Sequence, residues 1–228
     1  MNDTYGVTEH WMSFERAMTE AAPEFPGYLN GPASEEAIAE TERRIGRPLP
    51  EQMKRLYRIH DGEDHSYGTV FGLEFLPLEE AAGRWEQWRD LIDGEDEESL
   101  RELAGDAASV PEGAIRTVYA SKGWIPVLFD GAGCFIGIDL DPGPAGKVGQ
   151  IINFGRDEDE KVVLAEDLAG LLKMLAEQAP HVTIEREEES DDEDEDEDEE
   201  RDDVFFSLGD SHAIDVLKQV AKNREIPG

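Results

Sequence analysis

The apolar residues of this chain change their spacing near its middle, and this change constrains the fold more than any other feature. In the first half they recur every three to four residues, as Leu49, Met53 and Leu56 do, which is the period of an amphipathic helix. Between residues 115 and 164 they form short runs separated by the turn-forming stretches DGAG, DPGPAGK and GRDEDE. The pattern predicts helices in the first half of the chain and a meander of about four antiparallel strands in the second.

Capping residues indicate where several helices begin and end. Ser34 is a predicted N-cap, Gly46 is predicted to close the same helix, and Thr8 is the predicted N-cap of an opening helix that carries Trp11 and Phe14. Further helices are expected after Pro77, at residues 97–103, after Glu166 or Asp167, and after Asp210. Extended segments are predicted at residues 69–76, 124–129, 134–140, 149–154, 161–164 and 204–208.

An acidic tract divides the chain near its C-terminal end. Residues 185–203 contain sixteen acids and two arginines, a net charge of −14, so this segment repels itself and is predicted to be disordered. We therefore expect an N-terminal helix and loop at residues 1–30, joined to a main domain at residues 31–184. After the tract, residues 204–228 should form a strand and a helix, which we expect to dock on the main domain because exposed apolar faces are usually covered.

The charge of the chain bears on its partners. The 55 acidic and 21 basic side chains give a formal net charge of −34. Such a surface repels nucleic acid and anionic membranes and attracts basic proteins, although solubility alone also accounts for it. No secretory signal or apolar run long enough to span a bilayer is evident, and the lone Cys134 excludes an internal disulfide. These features predict a soluble, cytoplasmic protein.

Three stretches resemble a known family. PASEEAIAETERRIGRPLPEQMKRLYRIHDG resembles the opening helix pair of the SUKH superfamily, and KGWIPVLFDGAGCFIGIDLDPGPAGKVGQIINFG resembles its central hairpins. VLAEDLAGLLKML resembles its closing strand and helix. The three stretches occur in the family's order and together cover residues 32–178. The resemblance implies an α+β fold in which helices pack around a mainly antiparallel sheet, here of about four to six strands.

The same resemblance implies two functions without catalysis. Many bacterial members of the superfamily look like immunity proteins encoded beside toxins, whereas fungal relatives are scaffolds for cell-wall synthesis and signalling. Because the surface is acidic, we expect an immunity protein that binds and neutralises a basic toxin, such as a nuclease. The alternative is a regulatory scaffold or adaptor that uses its acidic tract to dock basic partners.

Two groups of residues are candidates for metal binding or catalysis. The segment from His60 to His65 contains imidazoles and carboxylates that could bind zinc or manganese. Because a helix must end in this segment, we prefer to interpret these residues as part of a turn. Cys134 begins an apolar strand and is expected to be a buried hydrophobe rather than a nucleophile. The metal candidates are His60, Asp61, Glu63, Asp64 and His65.

Other polar stretches also favour structural roles. The glycine stretches at residues 131–133 and 143–147 lack the helix or the Ser/Thr that a phosphate-binding loop needs, so both are predicted hairpin loops. The carboxylates of Asp130, Asp139 and Asp141 lie near strand ends, where turn capping is expected instead of acid–base work. We therefore predict no catalytic residue, metal or cofactor.

A protein partner remains the predicted ligand, and the oligomeric state stays open. Two tryptophans three residues apart share a helix face, where they could anchor a partner, although core packing is the default. Acidic residues in turns are further candidate contacts for a basic partner. The predicted partner-binding residues are Trp85, Trp88, Asp61, Glu63, Asp64, Asp130 and Asp141.

Overall fold

A computed structural model describes residues 4–186 and 204–224. The helices are α1 Thr4–Ala21, α2 Glu35–Ile45, α3 Glu51–Tyr57, α4 Leu78–Gly94, α5 Glu97–Ala104, α6 Leu168–Gln178 and α7 Ala213–Asn223. The strands are β1 Glu74–Phe75, β2 Ala108–Val110, β3 Trp124–Phe129, β4 Cys134–Asp139, β5 Gln150–Gly155, β6 Glu160–Ala165, β7 Thr183–Arg186 and β8 Val204–Ser207.

Six strands form one sheet in the order β1-β3-β4-β5-β6-β2. Neighbouring strands are antiparallel except at one edge, where β2 pairs in parallel with β6. The predicted α+β fold with a mainly antiparallel sheet is therefore confirmed. The meander predicted from the short apolar runs corresponds to β3, β4, β5 and β6.

Both faces of the sheet are covered, which explains why β3, β4 and β5 are buried at every position. One face carries Ile136, Ile138 and Ile151 into a core shared with α1, α3, α6 and α7. The other face carries aromatic rings, among them Trp124 and Phe135, into a second core beneath α4.

Several helix ends follow local capping chemistry. The hydroxyl of Ser34 accepts a hydrogen bond from the amide of Ala37, and Gly46 ends α2 at φ 75°, as predicted. Asp167 caps α6 by accepting from the amide of Gly170. The prediction for Thr8 is wrong because α1 already begins at Thr4; the Thr8 hydroxyl instead accepts from Arg55 Nε at 2.7 Å.

Other predicted elements need correction. The strand expected at residues 69–76 shrinks to the two residues of β1, because residues 69, 71 and 72 form turns and Val70 pairs with Leu73 in an isolated bridge. Asp210 is not a helix cap, because α7 starts after His212. Glu185 and Arg186 belong to β7, so the predicted disordered tract starts too early; its residues 187–203 lie outside the described residues.

The C-terminal segment packs on the rest of the protein. Strand β8 pairs with β7 in a separate two-stranded sheet, and α7 lies against β6. Ile214 and Leu217 of α7 are fully buried in the core of the first sheet face. Within residues 4–186 and 204–224, no helix is both long enough and apolar enough to cross a membrane.

Candidate partner-binding surface

The loop between α3 and β1 is organised around the buried carboxylate of Glu63, which is only 2% exposed. Its oxygens accept hydrogen bonds from the backbone amides of Gly68 at 2.8 Å, Thr69 at 3.0 Å and Phe75 at 3.0 Å, and from the Thr69 hydroxyl. Burial raises the pKa of Glu63, while these donors oppose the rise. Glu63 therefore holds the loop in shape from inside, and it is not available to a partner as predicted.

Neighbouring polar groups fix the start of the same loop. Asp61 Oδ1 accepts from the amide of Leu78 at 2.9 Å, which ties the loop to the beginning of α4. The Asn30 side-chain amide donates to the carbonyls of Asp61 at 3.0 Å and Glu63 at 2.8 Å, and His60 Nδ1 lies 2.6 Å from the Asn30 carbonyl. Burial raises the pKa of Asp61, and the Leu78 amide opposes the shift. These contacts give the segment a structural role.

No metal centre emerges from this arrangement. In the part of the chain that the structure describes, no three His, Cys, Asp or Glu side chains come together as a metal-ligand set. His65 Nε2 is 3.6 Å from Asp64 Oδ1, and both side chains face solvent. Asp64 thus remains a predicted contact residue at the exposed side of the loop.

The outer side of the loop forms one wall of a shallow cleft, and β8 forms the other. The cleft is lined by His65, Ser66, Tyr67, Val204 and Phe205. Phe205 is half exposed, whereas its neighbours Val204 and Phe206 are buried. None of the cleft residues was predicted as a site, although the two-residue alternation in VFFS, on a strand already predicted, could have indicated that Phe205 points outward.

The two predicted tryptophans behave differently. Trp85 is 5% exposed and donates from Nε1 to the carbonyl of Lys122 at 3.0 Å, so it is a core residue and not a partner contact. Trp88 is half-buried, with ring centroids 5.5 Å from Tyr119 and 6.3 Å from Phe135. Only Trp88 keeps enough exposed surface to remain a candidate.

The three turn carboxylates do not meet in one site. Asp130 Oδ1 accepts from the amides of Ala132, Gly133 and Cys134 at 2.8 to 2.9 Å, and its side chain is 6% exposed, which argues against partner contact. Asp141 pairs with Arg116 at the other end of β4, roughly 20 Å away by strand geometry. Turn formation accounts for Asp130, whereas the half-exposed Asp141 carboxylate forms an ion pair with Arg116.

Asp139 and Cys134 are both buried in β4. Asp139 accepts from the amide of Asp141 and from Gln150 Nε2, each at 2.9 Å, and burial raises its pKa. Burial also raises the pKa of the Cys134 thiol to about 11, so little thiolate exists at neutral pH. The environment of Cys134 thus favours the predicted structural role.

The protein has a mostly antiparallel six-stranded sheet with helices on both faces. This architecture is that of the SUKH superfamily. The family model described as the SMI1 / KNR4 family (SUKH-1) matches residues 32–174, which is more than half of the chain. The chain therefore belongs to the SMI1 / KNR4 family.

Curated relatives extend this similarity. The chain is 36% identical over 178 residues to the cell wall biosynthesis/cell cycle regulator smi1 of Schizosaccharomyces pombe, covering 75% of this chain and 35% of that protein. It is 29% identical to the cell wall assembly regulator SMI1 of Saccharomyces cerevisiae, covering 75% and 40%, and 30% identical to the glucan synthesis regulatory protein of Neurospora crassa, covering 75% and 38%. The chain thus spans between about a third and two fifths of the length of these relatives.

These similarities overturn one expectation. The predicted toxin-neutralising immunity protein is wrong, because the relatives that match three quarters of the chain are named as regulators of cell-wall biosynthesis, cell-wall assembly or glucan synthesis. A basic toxin partner has no support. The names describe regulators rather than enzymes, and they favour the alternative of a regulatory protein.

Proposed function

We propose that this chain is a non-catalytic regulatory module that acts by binding other proteins in the control of cell-wall assembly. The observation that carries the proposal is the similarity over three quarters of the chain to proteins named as cell-wall and glucan-synthesis regulators. Because the chain matches only part of each relative, the module corresponds to their shared portion, and whatever else those proteins do is not transferred.

The environments of the buried polar side chains support a non-catalytic role in which the protein acts through surface contacts. The carboxylates of Glu63 and Asp139 are used to hold backbone and side-chain donors of the fold itself. The Cys134 thiol is kept protonated by burial. These buried groups leave the surface as the functional part of the proposed regulator, and the proposed ligand is a protein.

The charge of the chain indicates the character of that partner. Residues 187–203 hold fifteen acids, one arginine and one serine, and they connect β7 to β8, whose ends Arg186 and Val204 are paired across the two strands. A concentration of negative charge speeds encounters with basic surfaces and repels nucleic acid and anionic membranes. We therefore propose a basic protein as the partner of the module, and we propose the cytoplasm as its location.

A replacement experiment in fission yeast tests the regulatory role. The segment of smi1 that matches this chain is replaced by the whole chain, and growth is scored on medium containing a cell-wall-digesting glucanase. We expect better growth than in a strain that lacks the segment. A chimera with Gly137→Val is the control, because a Cβ at this position would lie 2.1 Å from the Ile125 carbonyl oxygen and disrupt the sheet. If the stable wild-type chimera grows no better than the deletion strain, the proposal is wrong.

The contribution of the acidic tract is tested separately. Residues 187–203 are exchanged for a glycine–serine linker of equal length, which leaves the connection between β7 and β8 intact. Binding of a lysine-rich peptide to the full chain should weaken most at low salt, since screening already suppresses long-range attraction at high salt. An equal loss at low and high salt would show that the tract contributes by direct contact instead of by attraction.

A further inference from the structure

The cleft between the α3–β1 loop and β8 contains an unusual exposed ring. Among the described residues, the large apolar side chains with the greatest exposure are those of Met12, Leu103, Val148 and Phe205. Phe205 differs from the others because its ring lines a concave surface together with Tyr67 and His65. Exposed aromatic side chains in concave surfaces are favoured anchoring points for protein partners.

Both walls of this cleft are held rigidly. On the β8 side, Phe206 points inward and meets Phe25 edge to face at a centroid distance of 5.8 Å. On the loop side, Glu63 fixes the amides of Gly68 and Thr69, and Tyr67 packs against Tyr28 at 4.6 Å. Phe205 is therefore exposed on a preorganised surface, where little conformational entropy is lost on binding.

The rim of the cleft is negatively charged. Glu185 stands directly opposite Phe205 in the β7–β8 register, and Asp64 adjoins His65 on the loop wall. Arg186, the basic residue next to Glu185, is engaged by Glu24 at 2.6 Å. In the sequence, the fifteen acids of residues 187–203 directly precede Val204, which lines the cleft.

Charge decides among the candidate occupants. The acidic tract would be repelled by Glu185 and Asp64, and a second copy with a net charge of −34 would be repelled as a whole. A positively charged segment with an apolar side chain matches both the rim and the exposed ring. We infer that this cleft, with Phe205 and Tyr67 as its apolar surface and Glu185 and Asp64 on its rim, docks a short basic segment of a partner protein that inserts one apolar side chain. This inference rests on the proposed function and specifies the partner.

Synthetic peptides provide the test on the full chain. One short peptide has lysines flanking a central leucine, a second has serine in place of that leucine, and a third has glutamates in place of the lysines. Binding is measured by fluorescence anisotropy at about 0.05 M and about 0.15 M salt. We expect the lysine–leucine peptide to bind most tightly, and the glutamate peptide not to bind.

Variants then locate the binding site. Phe205→Ser should weaken binding of the lysine–leucine peptide about tenfold or more, as expected when an aromatic anchor is lost. Phe205→Tyr keeps an aromatic ring and should retain most of the wild-type affinity. The weakening in Phe205→Ser would then be due to loss of the ring. Met12→Ser is the matched control, since Met12 is 54% exposed and Phe205 is 50% exposed, and it should change the affinity less than about twofold.

Three results would overturn the inference. Equal effects of Phe205→Ser and Met12→Ser would place binding elsewhere, and equal affinity for the lysine–serine peptide would reduce the interaction to general charge attraction. A wild-type dimer that Phe205→Ser converts to a monomer would identify a second copy as the occupant. If the yeast chimera supports growth while the peptide result fails, the cleft inference falls and the regulatory function stands.

Discussion

Lys218 Nζ lies 2.9 Å from Glu158 Oε2, and this ion pair joins α7 to the turn that precedes β6. Both side chains are nearly buried, with 12% and 10% of their surface exposed. Glu158 also accepts from the Asn153 amide, whose oxygen accepts from the Val162 amide at 2.6 Å. The pair therefore connects the C-terminal helix to the hydrogen-bonded interior of β5 and β6.

Lys218→Met should loosen this connection. Burial alone lowers the pKa of Lys218, but the hydrogen bond and charge of Glu158 reverse the shift, so the net direction is upward. Without the ammonium group, the Glu158 carboxylate stays buried with only an amide donor, and we expect a loss of about 3 kcal/mol in the free energy of unfolding in urea. Adding Glu158→Gln should recover more than half of that loss.

Lys222→Met is the matched control on the same helix. Lys222 pairs with Glu160, whose side chain is 44% exposed, so its removal should cost less than about 1 kcal/mol. Equal losses for the two lysine variants would mean that the buried pair with Glu158 does not anchor α7.

Glu63→Gln should disturb the loop that forms the cleft. Glutamine offers one acceptor oxygen and an NH₂ group, so its NH₂ group would face backbone donors that now point at a carboxylate oxygen. We expect a loss of about 2 to 3 kcal/mol in the free energy of unfolding, measured by urea denaturation. The exposed Glu20→Gln should change it by less than about 0.5 kcal/mol. A similar small effect at Glu63 would show that its hydrogen bonds are replaced by water.

The role of Glu63 also explains where sequence reasoning failed. The largely apolar run at residues 69–76 predicts a strand, yet the Glu63 carboxylate accepts hydrogen bonds from the amides of Thr69 and Phe75, and residues 69, 71 and 72 form turns. Glu63 lies 6 and 12 residues before these two amides and outside the apolar run, so the pattern of the run itself does not predict these hydrogen bonds. The central strands were predictable because their short apolar runs and intervening turns are local signals.

The remaining strands and the cleft depend on pairing over long distances. Strand β2 pairs with β6 some fifty residues later, as the register of Ala108 with Glu160 shows, and β7 pairs with β8 across residues 187–203. The cleft combines His65 and Phe205, which only the folded chain brings together. Acidic turn residues were identified from sequence, but composition could not reveal that Asp130 and Glu63 direct their carboxylates to backbone amides.

Asp139→Asn should change how stability varies with pH. Because burial raises the pKa of Asp139 above its unfolded value of 3.8, the folded state binds more protons than the unfolded state between the two pKa values. The contribution of this carboxyl to stability is therefore fully present at low pH and declines as pH rises through that window. The asparagine variant lacks this decline.

The measurement compares urea unfolding of the wild type and Asp139→Asn just below pH 3.8, the unfolded value, and at about pH 7.5. We expect the stability advantage of the wild type to be larger at the lower pH. The surface variant Glu20→Gln should show no such pH-dependent difference. An advantage that grows with pH would mean that the hydrogen bonds from Gln150 and the Asp141 amide outweigh burial.

Gly62→Ala and Gly46→Ala form a matched pair. Both glycines have positive φ, 73° and 75°, so alanine costs about 1 to 2 kcal/mol at either position from backbone conformation alone. A Cβ at Gly62 would lie 2.3 Å from the backbone nitrogen of Pro77, whereas one at Gly46 meets nothing within 4 Å. Gly62→Ala should therefore cost at least about 2 kcal/mol more in urea unfolding. Equal losses would show that the loop shifts away from Pro77 without cost.

Cys134 should react slowly with iodoacetamide in the folded chain. Burial raises the pKa of its thiol from 9.0 to about 11, and the thiolate is the reactive species, so this shift alone lowers the rate at neutral pH about a hundredfold. Labelling followed by mass spectrometry should accelerate by at least that factor in urea. The control is Met12→Cys with Cys134→Ala, which places a thiol at a position that is 54% exposed and should react equally fast in both conditions. Rapid labelling of native Cys134 would require an accessible thiolate, and the structural role of this residue would then have to be abandoned.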